Sequence, residues 1–131
     1  MVVSHITTHH GTAAAAESYH DFETRVMRER APDFVRSGGL FVIHDWRMME
    51  TYDVEARRVW QARMRAHERG YLRGSVVCVA RANPLLRMAV QAANLAASLV
   101  QSGKVELSED IDAALKTHGL HHPPLPPAPV R

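Results

Sequence analysis

His5, His9, His10, His44 and Asp45 are the residues of this chain whose types best fit chemistry. Two or three imidazoles and a carboxylate can hold zinc or a similar divalent ion. They reach one place only if the segments carrying them end side by side, as the strands of a parallel sheet do. Their spacing matches no metal signature: no HExxH occurs, nor any HxH with a distant carboxylate. His9 and His10 are adjacent, so an extended backbone points them to opposite faces. His20 and His67 fall in helical patterns, and His118, His121 and His122 flank a proline-rich end. Imidazoles titrate between about pH 5 and 8, so such a chain carries a potential pH response.

Nucleophiles are scarcer. Cys78 sits inside the apolar run SVVCVA, where a cysteine behaves as a small buried hydrophobe. No GxSxG elbow, GxxxxGK[ST] loop or GxGxxG turn occurs, which argues against serine hydrolases, P-loop NTPases and dinucleotide-binding enzymes. Arg57, Arg58, Arg65 and Arg69 could face phosphates, but Glu50, Glu55 and Glu68 are interspersed and no aromatic platform accompanies them. That pattern describes a solvated charged face, and no nucleic-acid partner is expected.

The elements that must position these residues follow from length and periodicity. A chain of 131 residues predicts one domain with a single core. Its 46% hydrophobic content is that of a globular protein. The lone cysteine excludes an internal disulfide framework and points to a reducing cytoplasm. Met1 is followed by VVSHITTHHG rather than a basic and then apolar leader, so no signal peptide is expected. The uncharged run from Met88 is too short to span a bilayer, and no membrane insertion is expected.

Strand and helix patterns alternate along the chain. VVSHITTH reads as an exposed or edge strand ending at Gly11, with Thr12 able to cap a helix in which Ala15, Tyr19, Phe22 and Val26 form the buried stripe. Ala31-Pro32 should close that helix. Leu40 to Ile43, behind Gly38-Gly39, is a continuous apolar run of the kind that forms a strand covered on both faces, and His44 to Trp46 bring polarity to its carboxyl end. Asp53 can cap a helix from Val54 to about Arg69 that buries Ala56, Val59, Trp60 and His67, with Gly70 as its C-cap. Ser75 to Ala80 is a second central strand. Asn83-Pro84 is a cap followed by proline at the first helical position, and Gly103 stops that helix. KVEL is a short strand, and Ser108-Glu-Asp opens a last helix. The expected fold is α/β: one small, mostly parallel sheet with alternating helices over residues 1–119, and a proline-rich mobile tail over 120–131.

LFVIHDW, the eight-residue step to Asp53, the helix behind it, SVVCVA and the long helix after Asn83 together resemble the STAS domain of anti-sigma-factor antagonists, most closely its divergent bacterial group. The resemblance covers roughly Val2 to Leu115. It implies a non-enzymatic regulatory module that binds a protein partner. The family's regulatory members carry Asp-Ser-Ser-Gly where this chain has Asp53, Val54, Glu55 and Ala56, so the capping aspartate is kept and the phosphoacceptor serine is missing. The family also opens with a strand hairpin where this chain offers only Val2 to His9, which would leave a sheet edge bare to another strand.

The helix after Asn83 is apolar on most of its circumference; Gln91, Asn94, Ser98 and Gln101 supply only a thin polar stripe. Its extra apolar side needs a cover: the amino- or carboxyl-terminal elements of the chain itself, a second subunit, a partner or a hydrophobic ligand. The first reading is a protein partner or a homodimer, with Asp53, Glu55, Arg58, Leu95 and Leu99 at the interface and no cofactor. The second is a small hydrophobic ligand or lipid between this helix and the sheet. A third is a metal-dependent enzyme built on His44 and Asp45.

Overall fold

The computed structural model describes residues 1–66, 72–100 and 105–122. Within them β1 (Val2–His5), β2 (His10–Gly11), α1 (Ala13–Arg36), β3 (Leu40–Asp45), β4 (Thr51–Tyr52), α2 (Val54–Ala66), β5 (Leu72–Cys78), α3 (Pro84–Val100), β6 (Val105–Ser108) and α4 (Ile111–Thr117) follow one another. The expected helix stops at Gly70 and Gly103, His67, Arg65 and Arg69 as side chains, the Leu99 side chain and the tail 123–131 lie outside what is described.

The main sheet is fully parallel, in the order β1-β3-β5-β6, with His5 level with Asp45 and Asp45 level with Cys78. The chain therefore adds one strand at a time in one direction. Right-handed crossovers then put every connecting helix on the same face. Ala16 of α1, Ala56 and Trp60 of α2 and Leu86 and Val90 of α3 accordingly share one core with Val77 of β5. On the opposite face α4 places Ile111, Ala114 and Leu115 over Phe41, Ile43, Val76 and Cys78. Leu120 packs beside this second core, and His122 Nε2 lies 3.0 Å from Asp112.

β3 is the centre. All six of its residues are buried, because helices cover both of its faces. Leu40 and Val42 meet Phe34 from the end of α1 on one side. The expected helix stop at Ala31-Pro32 is wrong: α1 runs through Pro32 to Arg36 and ends in the Ser37-Gly38-Gly39 turn, where Gly38 and Gly39 take positive φ of 78° and 114°. Burial of Phe34 under the sheet offsets the donor that Pro32 removes. The buried stripe of α1 also differs from expectation. Ala16, His20 and Phe34 are its fully buried residues, while Phe22 is 45% exposed and carries the Arg25 guanidinium over its ring.

The amino-terminal strand is shorter than expected. It stops at His5, and the chain then forms a two-residue parallel pair, His10–Gly11 with Thr51–Tyr52. Gly11 is required there: a Cβ would stand 2.7 Å from the Tyr52 ring and 2.9 Å from Met49 Sδ. β5 begins at Leu72, three residues before the apolar run that signals it.

Caps fall where the sequence puts them. Asp53 Oδ1 accepts the Ala56 N–H at 2.6 Å, Asn83 Oδ1 accepts from Leu86 at 3.1 Å, and Thr12 Oγ1 accepts from Ala15 at 3.2 Å. Asn83 also donates from Nδ2 to the carbonyls of Met49 and Glu50, tying the start of α3 to the loop before β4. Loss of one such cap costs about 1 kcal/mol. Asp53→Ala should therefore lower the free energy of unfolding by about 1 kcal/mol in urea denaturation, with the slope of the transition unchanged.

Candidate functional site

Along β3 the side chains alternate, so His44 and Asp45 leave the strand on opposite faces. His44 enters the helix-covered core. Its Nδ1 lies 2.5 Å from the Tyr19 hydroxyl, its Nε2 lies 3.0 Å from Ser75 Oγ, and Tyr19 is in turn 2.7 Å from Ser4 Oγ. One neutral arrangement satisfies the row: Ser4 donates to Tyr19, Tyr19 to His44 Nδ1, and His44 Nε2–H to Ser75. Burial drives the Tyr19 phenol far above its usual range, the Glu23 charge adds to this, and the Ser4 hydrogen bond opposes it. Tyr19 therefore stays a donor.

Aromatic rings pack around this row. Trp60 lies 5.0 Å from Tyr19, 4.3 Å from His20 and 4.8 Å from Trp46, and Tyr52 continues the cluster 5.5 Å beyond Trp46. His20 is 1% exposed and faces the Glu23 carboxylate at 3.4 Å. The rings fill the space between α1, α2 and the sheet with edge and tilted contacts, as aromatic quadrupoles favour. The buried Trp46 indole N–H has no acceptor among the described residues.

Asp45 occupies the other face at the carboxyl end of the sheet. His5 Nδ1 lies 2.9 Å from Oδ2, Arg47 Nε and Nη2 donate to Oδ1 and Oδ2 at 2.8 and 3.0 Å, and the Arg47 backbone N–H donates to Oδ1 at 3.2 Å. Burial pushes the carboxyl upward, but the Arg47 guanidinium, His5 and the Arg47 N–H outweigh it and bring Asp45 down to about 2. Cys78 ends the neighbouring strand. Burial, then the charge of Asp45, pushes its thiol up to about 11, which leaves it protonated and a poor nucleophile at neutral pH.

The five residues read as a metal set thus separate. His5 joins Asp45, His44 turns into the core, His9 Nδ1 lies 3.0 Å from Glu50 Oε1, and His10 Nδ1 lies 2.9 Å from Thr51 Oγ1. Among the described residues no three His, Cys, Asp or Glu side chains gather as a metal ion requires. The second helix pairs its own charges: Arg58 donates to Glu55 at 2.7 Å. Asp53, Glu55 and Arg58 therefore lie together at the start of α2, one as a cap and two as an ion pair. Further along, Arg63 bridges to Glu17 and Asp21 of α1 and, with Asp21, Thr24, Arg25, Arg28 and Glu29, lines an open groove of about 540 Å³. A smaller cavity of about 10 Å³ lies between α1 and β1. Neither is beneath α3, where Leu86 and Val90 are buried with Val77.

The outer side of α3 is the exception to this pairing. Leu85, Met88 and Leu95 are 78%, 63% and 66% exposed, and Ala92 between them is exposed too. Steps of three, four and three residues place all four on one face. Arg87 is the only charged residue of the helix, and it reaches Glu109 at 3.4 Å.

Tyr19, Ser75 and Trp60 fall in elements the sequence shows, but only the tertiary fold makes them partners of His44. The β2–β4 pair that anchors His9 and His10 is silent in the sequence, since two residues show no periodicity.

Among the described residues the fold is a small parallel α/β domain with four helices alternating with its strands. Protein-family models, curated proteins and solved structures were each compared with the chain, and none matches. No described helix is long and apolar enough to cross a membrane.

The Asp45 clamp has a pH signature. A carboxylate depressed to about 2, against about 3.9 in an unfolded chain, stabilises the fold fully above about pH 4 and loses that contribution as pH falls towards 2. Asp45→Asn should remove this component, so its urea midpoint should fall less than the wild type's between pH 4 and pH 2.

Proposed function

We propose that this chain is a non-enzymatic STAS-like interaction module that associates with a second copy of itself through α3. The observation that carries the reading is the exposed stripe of Leu85, Met88, Ala92 and Leu95. An apolar stripe of this kind marks a contact surface more often than a bare one. A second copy is the occupant that suits it best. The stripe bears no charge for a partner to complement, and an isologous contact needs only that the same patch meet itself. Alanines along α3 permit close approach of two helices.

The loop from Arg47 to Asp53 is tied to the start of α3, because Asn83 binds the Met49 and Glu50 carbonyls. The STAS resemblance rests on the β3 strand, the Asp53 cap and the α/β alternation. With the family's serine replaced at Val54 and Glu55, control through that position is not part of the reading. A reducing cytoplasm suits its single, buried thiol.

Full burial of one leucine is worth about 1.5–3 kcal/mol. Leu95→Asp should thus weaken self-association by at least roughly tenfold in Kd, and more if the carboxylate is desolvated. Light scattering coupled to gel filtration reads this directly, with circular dichroism to verify the fold. A folded variant whose mass equals that of the wild type at every concentration sinks the proposal.

A further inference from the structure

His5, His9 and His10 share a property that suits an exposed imidazole to covalent chemistry. Each binds a neighbour through Nδ1, and none has a hydrogen bond to Nε2, the less hindered nitrogen, among the described residues. His118 and His122 do the reverse, engaging Nε2 with Glu106 and Asp112. What separates His5 from His9 and His10 is its anchor. The His5 side chain is 56% exposed, but its carboxylate partner Asp45 is only 11% exposed. Glu50 beside His9 is 68% exposed, and His10 is held by the neutral hydroxyl of Thr51. Asp45 is also gripped by Arg47, whose Nε donates to Oδ1 and whose Nη2 donates to Oδ2, the oxygen facing His5, which leaves Nη1 without a bond among the described residues.

We propose that His5 Nε2 is a phosphoryl-acceptor site, in which Asp45 holds Nδ1–H and Arg47 offers its free guanidinium edge to the phosphoryl oxygens. The site lies at the carboxyl ends of β1 and β3 and is independent of the α3 surface. Its donor belongs to the phosphoramidate or acyl-phosphate class. With phosphoramidate, the Nε2 lone pair attacks phosphorus, the donor P–N bond breaks, and its electron pair leaves with ammonia. The ring keeps its Nδ1 proton and becomes a cation. A buried carboxylate on Nδ1 stabilises that cation as it forms and fixes the tautomer that frees Nε2 for attack. The transferred group brings about −1.5 to −2 charge, which an arginine edge complements. Asp110, whose charge also acts on Arg47, already accepts the Ala113 N–H as the cap of α4 and keeps the local balance from being cationic.

Potassium phosphoramidate and the full chain at neutral pH provide the test, with phosphorylation at each histidine followed in time by peptide mass spectrometry. His5 should be labelled at least about tenfold faster than His9 or His10, the scale of one hydrogen bond to a charged group. Asp45→Asn should bring His5 down to the rate of His9 while leaving His9 and His10 unchanged, and Arg47→Gln should slow His5 alone. Even labelling of the three histidines, or an unchanged His5 rate in folded Asp45→Asn, overturns the proposal. If Asp45→Asn does not fold, nitrogen-15 NMR of the wild type decides: protonation at Nδ1 of neutral His5 supports the site, and protonation at Nε2 overturns it.

Discussion

An imidazole in the middle of a strand covered on both faces has to be satisfied by the protein, and much of this fold is arranged around that requirement. His44 is buried, so both ring nitrogens need partners from elements packed beside β3. Tyr19 descends from α1 to Nδ1 and Ser75 stands on β5 at Nε2, with Ser4 of β1 completing the row. Three elements, α1, β5 and β1, are thereby registered against one ring of a fourth, β3. Apolar packing alone would tolerate a sliding helix; a short polar row in a dry core does not, because breaking one bond leaves a buried group unpaired at a cost of about 1–3 kcal/mol. Trp60 follows from the same constraint, since its indole covers Tyr19 and His20 and closes the core over the row.

Most of the charges described on α1 and the first turns of α2 are paired, and the exposed face of α3 carries none. Arg58 meets Glu55, Arg63 spans Glu17 and Asp21, and Arg30 and Arg36 both bind Asp33. Such exposed pairs contribute little to stability, at most about 1 kcal/mol each, but they hydrate the helices that bear them. α3 has one charge in seventeen residues, and that one turns to Glu109. A helix that packs one side on a sheet needs polar residues on the other only if that other side meets water. The composition of α3 suits the self-association proposed for it.

The sheet was legible in the sequence because buried parallel strands write themselves as apolar runs between breakers. LFVI behind two glycines and SVVC before Asn83-Pro84 are unambiguous, and the caps at Thr12, Asp53 and Asn83 fall where side-chain oxygens precede helical periodicity. Errors arose where tertiary contact overrides a local rule. Pro32 is tolerated because Phe34, two residues further on, is worth burying. The stripe of α1 passes through His20 rather than Phe22, since an aromatic cage makes an imidazole acceptable inside. Of the candidate site, the histidines and Asp45 were visible by type, but their grouping was not. Pairing of His5 with Asp45 depends on register between two strands forty residues apart, which no local spacing encodes.

Adjacent residues of β3 end up in opposite chemical worlds, and the two-residue repeat of a strand is the whole reason. Moving one position along the backbone exchanges the helix-covered core for the strand-end surface, so His44 and Asp45 cannot serve one site however close they stand in sequence. His44 is committed to structure by two hydrogen bonds that consume its nitrogens. Asp45 instead gathers groups from outside its strand: His5 arrives on the neighbouring parallel strand because the register sets it level, and Arg47 turns back from the loop two residues on. A one-residue slip of β1 would place Ser4 or Ile6 beside Asp45 and move Ser4 away from Tyr19 at the same time. The buried row and the exposed clamp therefore specify the same register from opposite faces of the sheet, and each protects the geometry of the other.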